Sequence, residues 1–178
     1  MPVLIAAWGV FLGVVMTLSL VAGRKKIRAY HGRGSLYMKL QYTLFFSVLT
    51  HALIFGAGPP ENIAAMIGYG AIMAGLVFYL FSLAYVYRYY NPMVSVRENQ
   101  PLCTRGPFRY IRHPMYTATM IMMTATALIL QYPSFVILPL VFFFFFRTSR
   151  NEEEFLSEEL SGYSLYRHST KMYVPFVF

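Results

Sequence analysis

The chain has 178 residues, a length for one compact domain, and 57 % of them are hydrophobic, 18 % aromatic and only 12 % charged. A soluble domain carries roughly 25 % charged residues, so the composition excludes an ordinary water-facing surface and points to lipid. The formal net charge of +8 would suit nucleic acid, but the basic residues lie between apolar runs, where they read as topology signals beside anionic lipid and not as a nucleic-acid face.

A membrane-crossing helix needs roughly 20 apolar residues, and five segments qualify as candidates. The first runs from Val3 to Ala22. Its basic cluster, Arg24, Lys25, Lys26 and Arg28, follows it, whereas a secretory signal carries its positive charge first. A retained span with its N-terminus outside is expected. The second, Leu40 to Ala57, carries His51 and gives way to the turn residues Gly56, Gly58, Pro59 and Pro60. His51 suits an interhelical hydrogen bond or, alternatively, a substrate-side contact. The third, Ile63 to Tyr87, is entered through Glu61 and Asn62. The fourth, Pro114 to Leu130, and the fifth, Ser134 to Phe146, are joined by only Gln131, Tyr132 and Pro133, so they form a tight hairpin. Pro114 fits the first turn of a helix, where its missing N–H is harmless. Pro139 is expected to kink the fifth helix.

An outside N-terminus makes residues 24–39, 88–113 and 147–178 cytoplasmic, and all 15 Lys and Arg residues fall there. The remaining segment, Asn151 to His168, reads as an amphipathic cytoplasmic helix with Phe155, Leu156, Leu160 and Tyr163 on one face and Gly162 ending or interrupting it. The apolar stretch from Tyr173 to Phe178 should lie against the helices or in the interface. The expected architecture is therefore all-α: an integral membrane bundle of about five transmembrane helices, with helices four and five as a short hairpin, and a cytoplasmic C-terminal helix. Residues 1–178 form a single domain, with variable spans in 1–99 and a functional core in 100–178.

Two segments concentrate chemistry. Leu102-Cys-Thr-Arg-Gly-Pro-Phe-Arg-Tyr-Ile-Arg-His-Pro-Met-Tyr116 packs three Arg, a His and three aromatics at the entrance of the fourth helix. His113 stands directly before Pro114, where it can bond a polar ligand or titrate near neutral pH. Arg147-Thr-Ser-Arg-Asn-Glu-Glu-Glu-Phe-Leu156 follows the fifth helix, and three consecutive Glu residues repel one another unless a cation neutralises them. The hairpin brings both segments to one membrane face, so His113 and Glu152 become neighbours despite their separation in sequence. Cations, carboxylates, a His and aromatics together make a polar pocket at the lipid boundary. The single Cys103 excludes an internal disulfide and a multi-cysteine zinc site, and no metal is expected.

Gly106-Pro-Phe-Arg-Tyr-Ile-Arg-His-Pro-Met-Tyr116 resembles the G-P-[FY]-R-x-[IV]-R-H-P-x-Y signature of the isoprenylcysteine carboxyl methyltransferase family, a broad group that includes phospholipid methyltransferases. Glu152-Glu153-x-x-Leu156, then Gly162-Tyr163-x-x-Tyr166 and Val174-Pro175, resembles that family's second signature. The likeness covers roughly residues 100–178. It implies a membrane-embedded methyltransferase that uses S-adenosylmethionine and a lipophilic small-molecule or lipidated acceptor reached from the bilayer, such as the carboxylate or thiol of a prenylated or lipid-like molecule. It also implies cofactor contacts from Leu102, Cys103, Thr104, Gly106, Tyr110, Arg112, His113, Pro114, Tyr116, Glu152 and Glu153. Catalytic contacts would come from Glu153 and from either Arg147 or Arg150. Two alternatives are a sterol-type NADPH-dependent reductase, which shares an Arg-His-Pro signature, and a small non-enzymatic membrane protein.

Overall fold

The computed structural model describes residues 2–22, 27–29, 63–90, 95–97, 99–130 and 134–176. The second expected span and His51 lie outside these residues. Five helices are described: α1 (Pro2–Ala22), α2 (Ile63–Val86), α3 (Pro114–Leu130), α4 (Ser134–Glu159) and α5 (Tyr163–Ser169), with a 3₁₀ turn at Gly106–Arg109. Two three-residue strands, β1 (Ile27–Ala29) and β2 (Ser95–Arg97), pair antiparallel with Arg28 opposite Val96. Nothing in the sequence pattern announced this ladder, because three residues are too few to show alternation.

Helices α2 and α3 form the most extensive contact of the described fold. Glycine explains how close they come. A Cβ on Gly68 would lie 2.8 Å from Ile129 Cγ1 and 3.0 Å from the Ala125 carbonyl oxygen, and one on Gly75 would lie 2.7 Å from Met122 Cγ. Small residues let helix backbones approach where lipid removes the usual hydrophobic drive. Helix α1 joins this pair through Leu4, Ala7, Trp8 and Phe11, a buried stripe at helical spacing. Trp8 Nε1 donates to Thr126 Oγ1 on α3 at 3.1 Å, which gives the indole its partner in an apolar setting.

Among the described residues one helix, α2, is long and apolar enough to cross a membrane, while Leu4–Thr17 and Pro114–Leu130 are shorter apolar stretches. The hairpin of the expected fourth and fifth spans is present as α3 and α4, but the second arm differs from expectation. It does not stop at Phe146. Helix α4 continues for 26 residues through Pro139 to Glu159, about 39 Å at 1.5 Å per residue. The apolar run ends at Phe146, yet Arg, Asn and Glu continue a helix without Gly or Pro until Gly162. The separate tail helix expected over Asn151 to His168 is therefore the distal half of α4 followed by a short α5. The break falls where expected: Gly162 adopts φ 81°, in the left-handed region.

Candidate functional site

Helix α4 carries a continuous buried stripe, Val141, Phe145, Ser149 and Glu153, and Leu160 just past its end is buried as well. The stripe is apolar at Val141 and Phe145 and polar at Ser149 and Glu153, which carries a carboxylate to the base of α3. The Arg112-His113 segment meets it there. Arg112 Nε donates to Glu153 Oε1 at 2.6 Å, and His113 Nε2 lies 3.2 Å from the same oxygen. Arg167 Nε approaches Glu153 Oε2 at 3.1 Å, without the alignment of a hydrogen bond. Tyr116 donates its hydroxyl to Glu152 Oε2 at 2.9 Å, and its ring lies parallel to His113 with centroids 5.4 Å apart.

Glu153 is fully buried at 0 % exposure. Burial alone pushes its carboxyl up, but the hydrogen bonds and charges of His113 and Arg112 outweigh it and hold the group at about 2. It is a permanent anion at neutral pH. Burial is the main cause that raises Tyr163, Tyr166 and Tyr173 above the ordinary phenol value, so these remain neutral hydroxyls.

The chain then folds back on the signature segment. Arg112 N donates to the Lys171 carbonyl at 2.8 Å, His113 N to Met172 at 3.1 Å, and Lys171 N to Tyr110 at 3.2 Å, so Ile111 and Lys171 form a parallel bridge. Arg112 Nη1 donates to the carbonyls of Arg167 and Thr170 at the end of α5. Tyr166 donates to the Phe108 carbonyl at 2.6 Å, and the Tyr173 hydroxyl bonds the Phe145 carbonyl and Ser149 Oγ. The final apolar stretch divides: Tyr173 is buried, as is Met172 before it, whereas Val174 and Phe176 are exposed.

These elements enclose a cavity of about 950 Å³. Of the residues singled out from sequence, Leu102, Cys103, Thr104, Arg112, His113, Pro114, Tyr116 and Glu152 line it. Gly106, Tyr110 and Glu153 do not. Gly106 holds φ 58° and packs so tightly on Tyr85 that a Cβ would lie 2.4 Å from its ring, so it shapes the 101–105 loop. Tyr110 is half exposed beside Phe176, with Arg109 over its ring. Glu153 sits behind the lining and anchors Arg112 and His113. Arg147 and Arg150 are exposed on α4 and outside the lining, and Arg150 rests on the Phe146 ring at 5.4 Å.

Sequence reasoning missed two walls. One is the tyrosine-rich exit of α2, where Tyr79, Tyr85, Tyr89 and Tyr90 all line the cavity. The run Tyr85-Val-Tyr-Arg-Tyr-Tyr90 was the available signal, but such a run also suits an interfacial belt. The other wall is α1, through Phe11, Leu12, Val15 and Met16. Among the described residues no group of three His, Cys, Asp or Glu side chains is placed to hold a metal ion.

A family model described as phospholipid methyltransferase matches residues 63–161, more than half of the chain. The chain belongs to the phospholipid methyltransferase family. This is the broad membrane-associated group that the Arg112-His113-Pro114 signature resembles, and membership implies a methyltransferase with lipid-like substrates. The family match spans α2, α3 and all of α4, hence most of the cavity wall, whereas α1 and the Tyr163–Tyr173 tail lie outside it. A search of curated proteins found no match.

Proposed function

We propose that the protein is an S-adenosylmethionine-dependent methyltransferase whose lipophilic acceptor reaches the site from the bilayer. The observation that carries this reading is the convergence of Leu102–Thr104, Arg112, His113, Tyr116 and Glu152 on one cavity whose α1 wall is apolar. The lining chemistry fits the cofactor. Glu152 is a carboxylate for an ammonium, Arg105 is an exposed cation for a carboxylate, and the tyrosine rings offer faces to a sulfonium. S-adenosylmethionine, when bound, supplies an electrophilic methyl: the acceptor's lone pair bonds to that carbon while the carbon–sulfur pair stays on sulfur. The residues of this chain hold, align and dry the reactants, which are the main tasks in a direct displacement.

Each polar residue has its own part. Tyr116 fixes the Glu152 carboxylate by its 2.9 Å bond, and His113 stacks on Tyr116 and holds its ring in register. Glu153 does not touch the cavity but orients Arg112 and His113, which makes it a positioning residue. Arg147 and Arg150 are assigned to the headgroup layer, where they can meet the polar end of an arriving acceptor. The protein is multi-pass, with its N-terminus outside and the cavity mouth in the cytoplasm, as the sorting of Lys and Arg indicates.

Calorimetric titration of the detergent-solubilised protein with S-adenosylmethionine and S-adenosylhomocysteine tests the reading. Both are expected to bind, and His113→Ala or Glu152→Ala is expected to weaken binding by roughly 1–3 kcal/mol. Binding of NADPH with no binding of either adenosyl compound would overturn it in favour of a reductase.

A further inference from the structure

We infer that α1 forms the acceptor-tail subsite: the hydrocarbon chain of the acceptor lies along Leu12, Val15 and Met16, and its polar reacting end is held at the Tyr79–Tyr90 hydroxyl pair. The inference deepens the methyltransferase reading and rests on it. It begins with a change of role along one helix face. Leu4, Ala7, Trp8 and Phe11 are 1–7 % exposed and pack into the bundle. Val15 continues that same stripe one turn further, but it lines the cavity together with its neighbours Leu12 and Met16. From Phe11 to Val15, about 6 Å of axial rise, the helix both packs on the core and lines the cavity, and Met16 beyond is exposed.

Phe11 marks the boundary. Its ring meets Tyr79 edge-on with centroids 4.7 Å apart, and the Tyr79 hydroxyl lies 2.9 Å from that of Tyr90. A wall of Leu, Val and Met therefore leads directly to a pair of phenolic oxygens, which in turn share the cavity with Glu152 and Tyr116. An apolar wall that ends in hydroxyls suits an amphiphile with one tail and a small polar head. Met16 adds an unbranched, adaptable side chain at the wall's outer edge, where it is 62 % exposed. Size agrees: about 950 Å³ is at the top of the roughly 300–1,000 Å³ range for a single drug-sized ligand, so the cavity has room for a cofactor and part of a tail. The signature residues do not supply this wall, and α1 lies outside the family match.

The test uses straight-chain lipids of graded length with a diazirine at the tail end and a carboxylate, thiol or amine head. They are photolysed with the full-length protein in detergent in the presence of S-adenosylhomocysteine. Adducts are expected on Leu12, Val15 or Met16. Excess unlabelled lipid should suppress them, while labelling of Val10, exposed on another side of α1, should persist. Val15→Trp should reduce long-tail adducts about tenfold and favour shorter tails, in line with roughly fourfold per methylene displaced from an apolar site. Its S-adenosylhomocysteine affinity should stay within about twofold of the parent, since every α1 residue that lines the cavity is apolar. Met16→Trp, at an exposed position, gives the same readout where Val15→Trp does not fold.

Adducts spread equally over Val10 and the lipid-facing side of α2, or insensitive to both substitutions, overturn the tail subsite. Wild-type protein that shows the α1 adducts but binds neither adenosyl compound overturns the methyltransferase reading and leaves the lipid subsite standing.

Discussion

Replacing Arg112 with Ala should unfasten the floor of the cavity. The guanidinium holds three things at once: the Glu153 carboxylate at 2.6 Å, the Arg167 carbonyl at 3.0 Å and the Thr170 carbonyl. Its loss leaves a carboxylate of 0 % exposure with only His113 and an unaligned Arg167 as neighbours. Removing one partner of a buried ion pair costs about 3–5 kcal/mol. For a chain of this size roughly 2–4 °C of melting temperature accompanies each kcal/mol, so a fall of about 6–20 °C is expected. The pH dependence is a second signature. A carboxyl lowered from an ordinary 4.5 to about 2 contributes about 3 kcal/mol, at roughly 1.4 kcal/mol per unit. Because the folded value is depressed, that contribution is fully present above pH 4.5 and fades as pH falls toward 2. Thermal melting of the detergent-solubilised protein across that window should show wild type losing stability, while Glu153→Gln stays nearly flat. The gap between wild type and Arg112→Ala should narrow in acid. A fall below about 1 kcal/mol for Arg112→Ala at pH 7 would mean a solvated pair worth only what exposed pairs are worth, and would refute the clamp.

Tyr116→Phe removes the bond to Glu152 and should weaken S-adenosylmethionine binding by roughly 1 kcal/mol without lowering the melting temperature, read by calorimetry and thermal denaturation together. Gly106→Ala forces a Cβ onto Tyr85 at a left-handed backbone position, so a loss of roughly 2 kcal/mol or more in stability is expected, with cofactor affinity falling alongside it. Cysteine introduced at Ile63 should react with an impermeant reagent applied outside cells, and cysteine at Leu165 should react only after permeabilisation; both residues are more than 75 % exposed. The reverse pattern would invert the proposed topology.

Much of this fold could be read from apolarity and punctuation. The run Ile63 to Tyr87 became a helix ending one residue earlier, and Pro114–Leu130 began at its proline and stopped at Leu130 as the pattern required. The apolarity criterion failed on α4, where the change at Arg147 marks the end of an apolar surface and not the end of a helix. Hydropathy measures what a side chain meets, whereas helix continuation needs only residues that tolerate the backbone. The candidate site was legible to the extent that a hairpin forces its two signatures together: His113 and Glu152, expected as neighbours, lie 3.9 Å apart, whereas the closer approach of His113 to Glu153 and the bond from Tyr116 to Glu152 were not foreseen. The partnership of Arg112 with the end of α5 was not legible, since carbonyl acceptors leave no mark in a sequence. Nor was the α1 wall, because Leu12, Val15 and Met16 look the same whether they face lipid, a neighbouring helix or a substrate.

The parallel bridge between Ile111 and Lys171 also makes the signature segment depend on residues far along the chain. Hydrogen bonds across 55 to 58 residues tie the signature segment to the Tyr166–Thr170 turn, and the last of those partners is synthesised well after α2 and α3 exist. Loop closure of that length precedes the contacts that reward it. Until the residues around Lys171 are present, the Arg112 guanidinium and the backbone N–H groups of Arg112 and His113 lack these carbonyl partners.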